Sequence, residues 1–536
     1  MPETLGGRAT APVRLDHLLG HGDPTRSAVT FAAETLTYAQ LSEQVARVAN
    51  GLHLRGVRRG DRVVVYAEKR IETVVALLAI AAAGAVLVPV NPLLRSLQFA
   101  HVVKDCEPRA VITTVRRWET VSAALAPDTS VEFAVLIGAT ERGSAAGAGV
   151  ALPAWEELAA AEPRPVPDGA AVIDQDIAAI MYTSGSTGSP KGVVLSHRNL
   201  LAGAASVAGY LEHRSDDVVL ALLPFSFDAG FSQLTTTLIA GAHLVLANHL
   251  VAADVIRLCE RHRITALTCV PPLWLQLVAQ DWPREATASL RYFANTGGRM
   301  PGATLARLRE IFPQAAPYLM YGLTEAFRSS YLDPAEADRR PDSIGKAIPN
   351  AELLVVRPDG SPCGPGEHGE LVHRGAQVAL GYWRDPERTA ERFRPVPGAN
   401  GATSPELAVW SGDTVYRDEE GFLYFVGRDD EMIKTSGYRV SPTEIEEAAY
   451  ATGLAGEAVA FGVPDERLGQ RVVLAVTLLG PDDPSAADLH RALARQLPAY
   501  MLPGRIEVLE RLPRSVNGKF DRVELRRTLD RVAVPG

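Results

Sequence analysis

The chain has 536 residues, too many for one hydrophobic core, so two or more domains are expected. A hydrophobic content of 47% with 22% charged residues is that of an ordinary globular protein and excludes a disordered or fibrous chain. The formal net charge of −9 argues against nucleic acid or an anionic membrane as main partner; pairs such as Arg116-Arg117 are too short to build a long-range positive field.

The start, Met1-Pro-Glu-Thr-Leu-Gly-Gly-Arg8, lacks a basic stretch followed by an apolar run, so no export signal is read. Thr73 to Val90 is eighteen residues without a charge, the lower edge of bilayer-spanning length. Gly84 and Pro89 break it, and the expectation is a helix ending near Gly84 followed by a buried strand, Ala85 to Val90. Helical and strand patterns alternate through roughly the first three hundred residues, which predicts βα units and mainly parallel sheets. Residues 143–171, rich in Ala, Gly and Pro, read as a surface connection, and a short strand, Ile177 to Tyr182, follows. Between Tyr318 and Arg428, alternating runs such as Glu352 to Arg357 and Gly421 to Val426 read as antiparallel strands of a barrel or small sheet. The segment of about a hundred residues after Arg428 suits a compact α+β domain. Its first helix starts with Ser441 as N-cap, Pro442 in the first turn and Glu444 closing a capping box. Cys106, Cys259, Cys269 and Cys363 form no CxxC pair; neither a disulfide framework nor a zinc site is expected, and a reducing cytoplasm is the default location.

The first stretch that carries chemistry is Tyr182-Thr-Ser-Gly-Ser-Thr-Gly-Ser-Pro-Lys-Gly192. Thr183, Ser184, Gly185, Ser186, Thr187 and Gly188 offer backbone N–H groups and hydroxyls with little Cβ crowding, which suits a phosphate chain, and Lys191 adds positive charge. A flexible linker is the plain alternative, but linkers seldom lie between apolar runs such as Ile177-Ala-Ala-Ile-Met181 and Val193-Val-Leu195. A P-loop needs Gly before its Lys and Ser or Thr after it. Pro190 and Gly192 stand there instead, so that pattern fails at two places.

Further motifs follow in order. They are Phe225-Ser-Phe-Asp228, Tyr321-Gly-Leu-Thr-Glu325, Gly369-Glu-Leu-Val-His-Arg-Gly375 and Ser411-Gly-Asp-Thr414. Then come Gly427-Arg-Asp-Asp-Glu-Met-Ile-Lys-Thr-Ser-Gly-Tyr-Arg439, Leu497-Pro-Ala-Tyr-Met-Leu-Pro503 and Asn517-Gly-Lys519. With the Ser/Thr/Gly loop, this series resembles the adenylate-forming superfamily of acyl-CoA synthetases, peptide-synthetase adenylation domains and luciferases, over nearly the whole chain. The resemblance implies an α/β fold. A large N-terminal AMP-binding domain, residues 1–429, would hold two α/β subdomains and a small β-barrel-like subdomain; a small α+β C-terminal domain, residues 430–536, would rotate about a hinge. It implies an enzyme that uses ATP and Mg²⁺ to make an acyl-adenylate and passes the acyl group to a thiol. A carboxylate must then attack the α-phosphate, anion against anion, so cations and a metal aimed at the developing charge are the main lever.

By the same resemblance, Glu325 binds Mg²⁺ and Thr324 touches the phosphates, while Tyr321, with Gly322 beside it, flanks adenine. Asp413, assisted by Arg428, accepts hydrogen bonds from the ribose hydroxyls, a task that suits a carboxylate. Lys519, which alone reads as a solvated lysine, bridges the substrate carboxylate and the α-phosphate. Asp430 is the hinge, and Lys434, Gly437 and Arg439 belong to a loop that nears the site in a thioester-forming pose. Without the resemblance, Arg428-Asp-Asp-Glu431 reads as a charged surface turn.

Motif spacing places the acid pocket at Phe227, Asp228, Ala229, Ser232, Cys269, Ala294, Thr296, Gly297, Met320 and Arg328. Asp228 resembles the aspartate with which adenylation domains hold a substrate ammonium group; capping a helix is the alternative. Arg328 facing the pocket favours a second carboxylate or a hydrogen-bonding acid, and an arginine tied to a nearby acid outside the pocket is the alternative. The resulting expectation is a small amino acid or other polar acid, passed to a phosphopantetheine thiol of a separate carrier protein in secondary-metabolite biosynthesis. A CoA ligase for an aryl, aliphatic or polycyclic acid is the other reading. The chain ends seventeen residues after Lys519 and shows no phosphopantetheine site, so a stand-alone enzyme is expected. A catalytically silent nucleotide- or acyl-binding protein would be expected to lose Lys519, Glu325 or the loop, and all three are present.

Overall fold

The computed structural model describes residues 12–531 except 127, 139–148, 184–189, 249–250, 399–405, 429–430, 436–437, 466–467, 480–483 and 498. Within these, the expected α/β class and the division into a large N-terminal and a small C-terminal domain are both seen.

In one sheet, five parallel strands lie side by side in the order Phe133–Ile137, Ala110–Thr114, Arg62–Tyr66, Val86–Pro89 and Ile177–Thr183. Lys191–Ser196 then returns antiparallel on Ile177–Thr183, and Gly381–Tyr382 closes that edge. The Ser/Thr/Gly-rich stretch is therefore the connection between two neighbouring strands, with Thr183 opposite Lys191. A second sheet carries parallel strands Ser27–Phe31, His243–Leu246, Val218–Ala221, Ala266–Cys269, Tyr292–Asn295 and Ala316–Tyr321. It continues antiparallel through Ser330–Leu332, Ser343–Ala347, Leu423–Arg428, Leu407–Arg417, Gly369–Gly375 and Ala351–Val356. The pattern expected after Tyr318 is thus observed, as the far end of this large sheet rather than a detached one.

Helices Tyr38–Leu54, Ile71–Ala82, His197–Tyr210 and Asp228–Ile239 contribute to one core with residues of both sheets. This explains the charge-free run near residue 73. Helix Ile71–Ala82 is buried on nearly every face between the sheets, so it is apolar all round. Gly84 then adopts φ +78 and the chain enters strand Val86–Pro89, as the sequence predicts. Among the described residues, no helix is long and apolar enough to cross a membrane. Of residues 143–171, 143–148 lie outside the described residues, and 149–171 are less of a plain connection than expected, because a short helix, Trp155–Ala159, buries Trp155 and Leu158.

The C-terminal part is built on strands Ile433–Thr435, Tyr438–Val440, Ala455–Asp465, Gly469–Leu478 and Arg505–Val508, with helices Pro442–Ala451, Ala486–Leu493 and Arg522–Arg531. The capping box expected at Ser441 does not form. Its hydroxyl donates to the Val426 carbonyl and contacts the Thr443 hydroxyl, so it ties the helix start to strand Leu423–Arg428 of the large sheet instead. All four cysteines are buried and free.

Candidate active site

The site lies beyond the carboxyl ends of the parallel strands, where loops from both sheets meet, the usual place for ligands in open α/β sheets. At its phosphate side, Lys191 Nζ donates to the Tyr382 hydroxyl at 3.2 Å and sits 4.5 Å from the ring centroid. Tyr382 in turn donates to Glu325 Oε1 at 2.6 Å. Burial holds the Lys191 ammonium below the ordinary lysine range, with Glu325 acting in the opposite direction. One hydroxyl thus links the cation of the Ser/Thr/Gly stretch to the buried carboxylate of the Tyr-Gly-Leu-Thr-Glu motif.

The local fold explains why Glu325 and Arg328 are both delivered here. Strand Ala316–Tyr321 must reverse into antiparallel Ser330–Leu332, and it does so through a 3₁₀ turn, Thr324–Ala326. Phe327 then takes φ +55, a conformation bulky residues rarely adopt, with its ring fully buried. It is held by close packing, since a Cβ on Gly203 would lie 2.4 Å from the Phe327 ring. Gly322 lets the backbone fold back on itself, because a Cβ there would be 3.1 Å from Arg328 Cα.

Asp413 and Arg428 face each other on neighbouring strands. Asp413 is buried, which pushes its carboxyl above the usual aspartate range. The Tyr321 hydroxyl donates to Oδ2. Oδ1 lies 3.4 Å from Arg428 Nε and, among the described residues, accepts no hydrogen bond. A buried carboxylate oxygen without a donor fits a bound hydroxyl, and it is where the sequence reading puts the ribose.

The acid pocket is centred on an internal ion pair. Arg328 Nη1 donates to Asp228 Oδ2 at 3.2 Å, and both side chains are 3% exposed. Asp228 Oδ1 accepts from the Ala229 N–H at 2.7 Å, at the first turn of helix Asp228–Ile239. Arg328 Nε is buried and, among the described residues, has no hydrogen-bond partner. Against Arg328 is a cavity of about 10 Å³, lined also by Ala229, Ser232, Gln233, Thr268 and Met320 among others. Arg328 is thus tied to an acid, but that acid is Asp228, itself one of the expected pocket residues, and not one outside the pocket. Thr268, paired with Ala294, lines this cavity, and Cys269 is buried in the hydrophobic cluster that also holds Phe227 and Ala229.

Lys519 reaches the site from the C-terminal part. Its Nζ is 4.8 Å from the Phe227 ring centroid. Gly297, at φ +75 next to buried Thr296, makes room for it, since a Cβ there would be 3.0 Å from Lys519 Cε. Burial lowers the pKa of this lysine, with Asp228 raising it and Arg328 and Arg428 lowering it. Groups expected to serve the nucleotide and groups expected to serve the acid thus both act electrostatically on one ammonium.

Ser184, Gly185, Ser186, Thr187, Gly188, Asp430 and Gly437 lie outside the described residues, as do the side chains of Lys434 and Arg439. Three residues at the site escape the motif reading. Tyr382 stands in Gly381-Tyr-Trp383, soon after the Gly369–Gly375 strand, and only folding shows that it joins Lys191 to Glu325. Lys69 and Asn91 line a second cavity of about 670 Å³, with Asn248, Gln276 and the loop 514–518 that precedes Lys519. Lys69 Nζ donates to the carbonyls of Leu222 (2.6 Å) and Leu223 (3.2 Å), and burial pulls its pKa down to about 7. The Asn-Pro turn signal at Asn91 was legible, but not its partner.

The sequence profile of the AMP-binding enzyme matches residues 20–383, and that of the AMP-binding enzyme C-terminal domain matches residues 444–519. A feruloyl-CoA synthase of Amycolatopsis is 32% identical over 530 residues, covering 97% of this chain and 99% of that one. An L-proline–[L-prolyl-carrier protein] ligase of Streptomyces coelicolor is 34% identical over 505 residues, covering 91% of each. A linear gramicidin synthase chain of Brevibacillus parabrevis is 31% identical over 508 residues, a match spanning 93% of this chain but 9% of that longer protein. Among solved structures, ATP-bound MatB from Rhodopseudomonas palustris matches with a TM-score of 0.84 at 26% identity, covering 97% of this chain and 99% of that one.

Proposed function

The chain belongs to the AMP-binding enzyme family and is an AMP-forming ligase that activates an acid with ATP, and we propose that its acid is small and polar and that the acyl group passes to a phosphopantetheine thiol. The observation that carries the first part is the buried Arg328–Asp228 pair, with a cavity of only about 10 Å³ against Arg328. A long or bulky acyl tail has no room on that side. A short acid with an amino, hydroxyl or second carboxyl group meets a carboxylate and a guanidinium that can each be re-partnered.

In this reading the phosphates lie along the 183–191 connection, with Lys191 and Thr324 facing them, and the ribose hydroxyls donate to Asp413. Adenine lies beside Tyr321. The residues present fit a magnesium ion, since Glu325 offers a buried carboxylate next to the phosphate side and such ions take one or two carboxylates plus phosphate oxygens. Mg²⁺ bound there would neutralise charge on the phosphate oxygens. Lys519 holds the substrate carboxylate against the α-phosphate. A carboxylate oxygen forms the new bond to the α-phosphorus, the bond from that phosphorus to the bridging oxygen breaks, and pyrophosphate leaves with the electron pair.

The 670 Å³ cavity supports the thiol step. Its N-terminal-domain wall sets Asn91, Asn248 and Gln276 among largely apolar residues. That combination suits the amide-bearing arm of phosphopantetheine. We assign the arm to a carrier protein in a biosynthetic pathway, with Asp228 and the likeness to a prolyl-carrier ligase in support. ATP–pyrophosphate exchange over amino, hydroxy, dicarboxylic, aryl and long-chain acids tests the first claim, and exchange restricted to aryl or long-chain acids would refute it. AMP release with CoA alone, as fast as with any carrier protein, would instead mark a CoA ligase.

A further inference from the structure

Asn91 follows strand Val86–Pro89 in the N-terminal domain and is 4% exposed. Its Oδ1 accepts from the Leu93 N–H at 2.9 Å, which fixes the carboxamide. Its Nδ2 then donates to the Val516 carbonyl at 2.6 Å and lies 3.3 Å from Asn517 Oδ1. Both acceptors belong to the turn that carries Lys519. That turn is tight: Ser515 N–H donates to the Lys519 carbonyl at 2.7 Å, Gly518 N–H donates to the Ser515 carbonyl at 2.9 Å, and Gly518 takes φ +80. Moving Val516 therefore moves Lys519. A second strut joins the two domains elsewhere, where Glu447 accepts the Gly302 N–H at 2.8 Å.

We propose that Asn91 is a positioning residue for adenylation, its carboxamide holding the 515–519 turn against the N-terminal domain so that Lys519 reaches the acid and the α-phosphate. The inference rests on the role given above to Lys519. Loss of the bond leaves the Val516 carbonyl without its fixed donor, so the turn is no longer held in place. Asn91 also lines the 670 Å³ cavity.

Asn91→Asp tests this, because it keeps the acceptor for Leu93 and removes the donor to Val516. The expected result is a fall in the kcat of acid-dependent ATP–pyrophosphate exchange of about tenfold, the worth of one buried hydrogen bond, with ATP affinity and melting temperature near the wild type. Hydrogen exchange at residues 515–519 should quicken while the sheet 62–66 is unchanged. Asn91→Ala should behave alike. Unaltered exchange kinetics in either variant, or unaltered protection of the 515–519 turn, would overturn the proposal. Should the Asp variant melt low, turn protection in Asn91→Ala decides. If Lys519→Ala itself retains full adenylation, the functional reading of Lys519 falls first. If Lys519→Ala is inactive and both Asn91 variants are normal, only the present inference falls.

Discussion

Arg328 and Asp228, one hundred residues apart, form a buried ion pair through a single hydrogen bond of 3.2 Å. Two charges removed from water stabilise little by themselves, but each prevents the other from being left alone. Arg328→Met should therefore destabilise the protein by about 3 kcal/mol, and the double variant Arg328→Met/Asp228→Asn should recover much of this. Thermal melting of the singles and the double checks it. Additive losses would show that the pair is not the unit.

Tyr382 gives the second prediction. Tyr382→Phe keeps the ring beside Lys191 but removes the hydroxyl shared by Lys191 and Glu325. Half-saturation for ATP in pyrophosphate exchange should rise by about tenfold, since a hydrogen bond to a charged group is lost. The apparent affinity for the acid should stay as it was.

Asp413 is expected to read the sugar. Its buried Oδ1 awaits a donor, so ATP should be preferred over 2′,3′-dideoxy-ATP, and Asp413→Ala should narrow that preference by about tenfold or more. Steady-state rates with the two nucleotides measure it. A variant that loses activity with both nucleotides equally would argue against ribose contact.

Lys69 predicts a pH dependence. Its folded-state pKa of about 7 lies below the unfolded lysine value, so the unfolded chain binds more protons between about pH 7 and 10. The penalty for burying this lysine is fully present below pH 7 and is relieved as pH rises through that window. Wild type should gain stability on Lys69→Met as pH rises from 7 to 10, by up to about 1.4 kcal/mol per unit. Paired melting curves across that range test the sign, and a gap independent of pH would contradict it.

The sequence by itself determined the family, the order of the motifs and most of the architecture. Alternating βα patterns up to Asn295 and turn-punctuated strands after Tyr318 are local signals, and local propensity survives folding wherever burial agrees with it. The run from Thr73 to Val90 shows this well, because Gly84 and Pro89 announce the helix–strand break before any packing is known. What sequence could not supply was pairing across long separations. Asp228 looks like a carboxylate awaiting a substrate ammonium until Arg328 is found against it, and the sequence around Arg328 says nothing of where its guanidinium ends. The Tyr382 link between Lys191 and Glu325 and the Asn91 clamp on Val516 are of the same kind. Each is one directional hydrogen bond between elements brought together only by the tertiary fold, and such bonds leave no periodic trace in the chain.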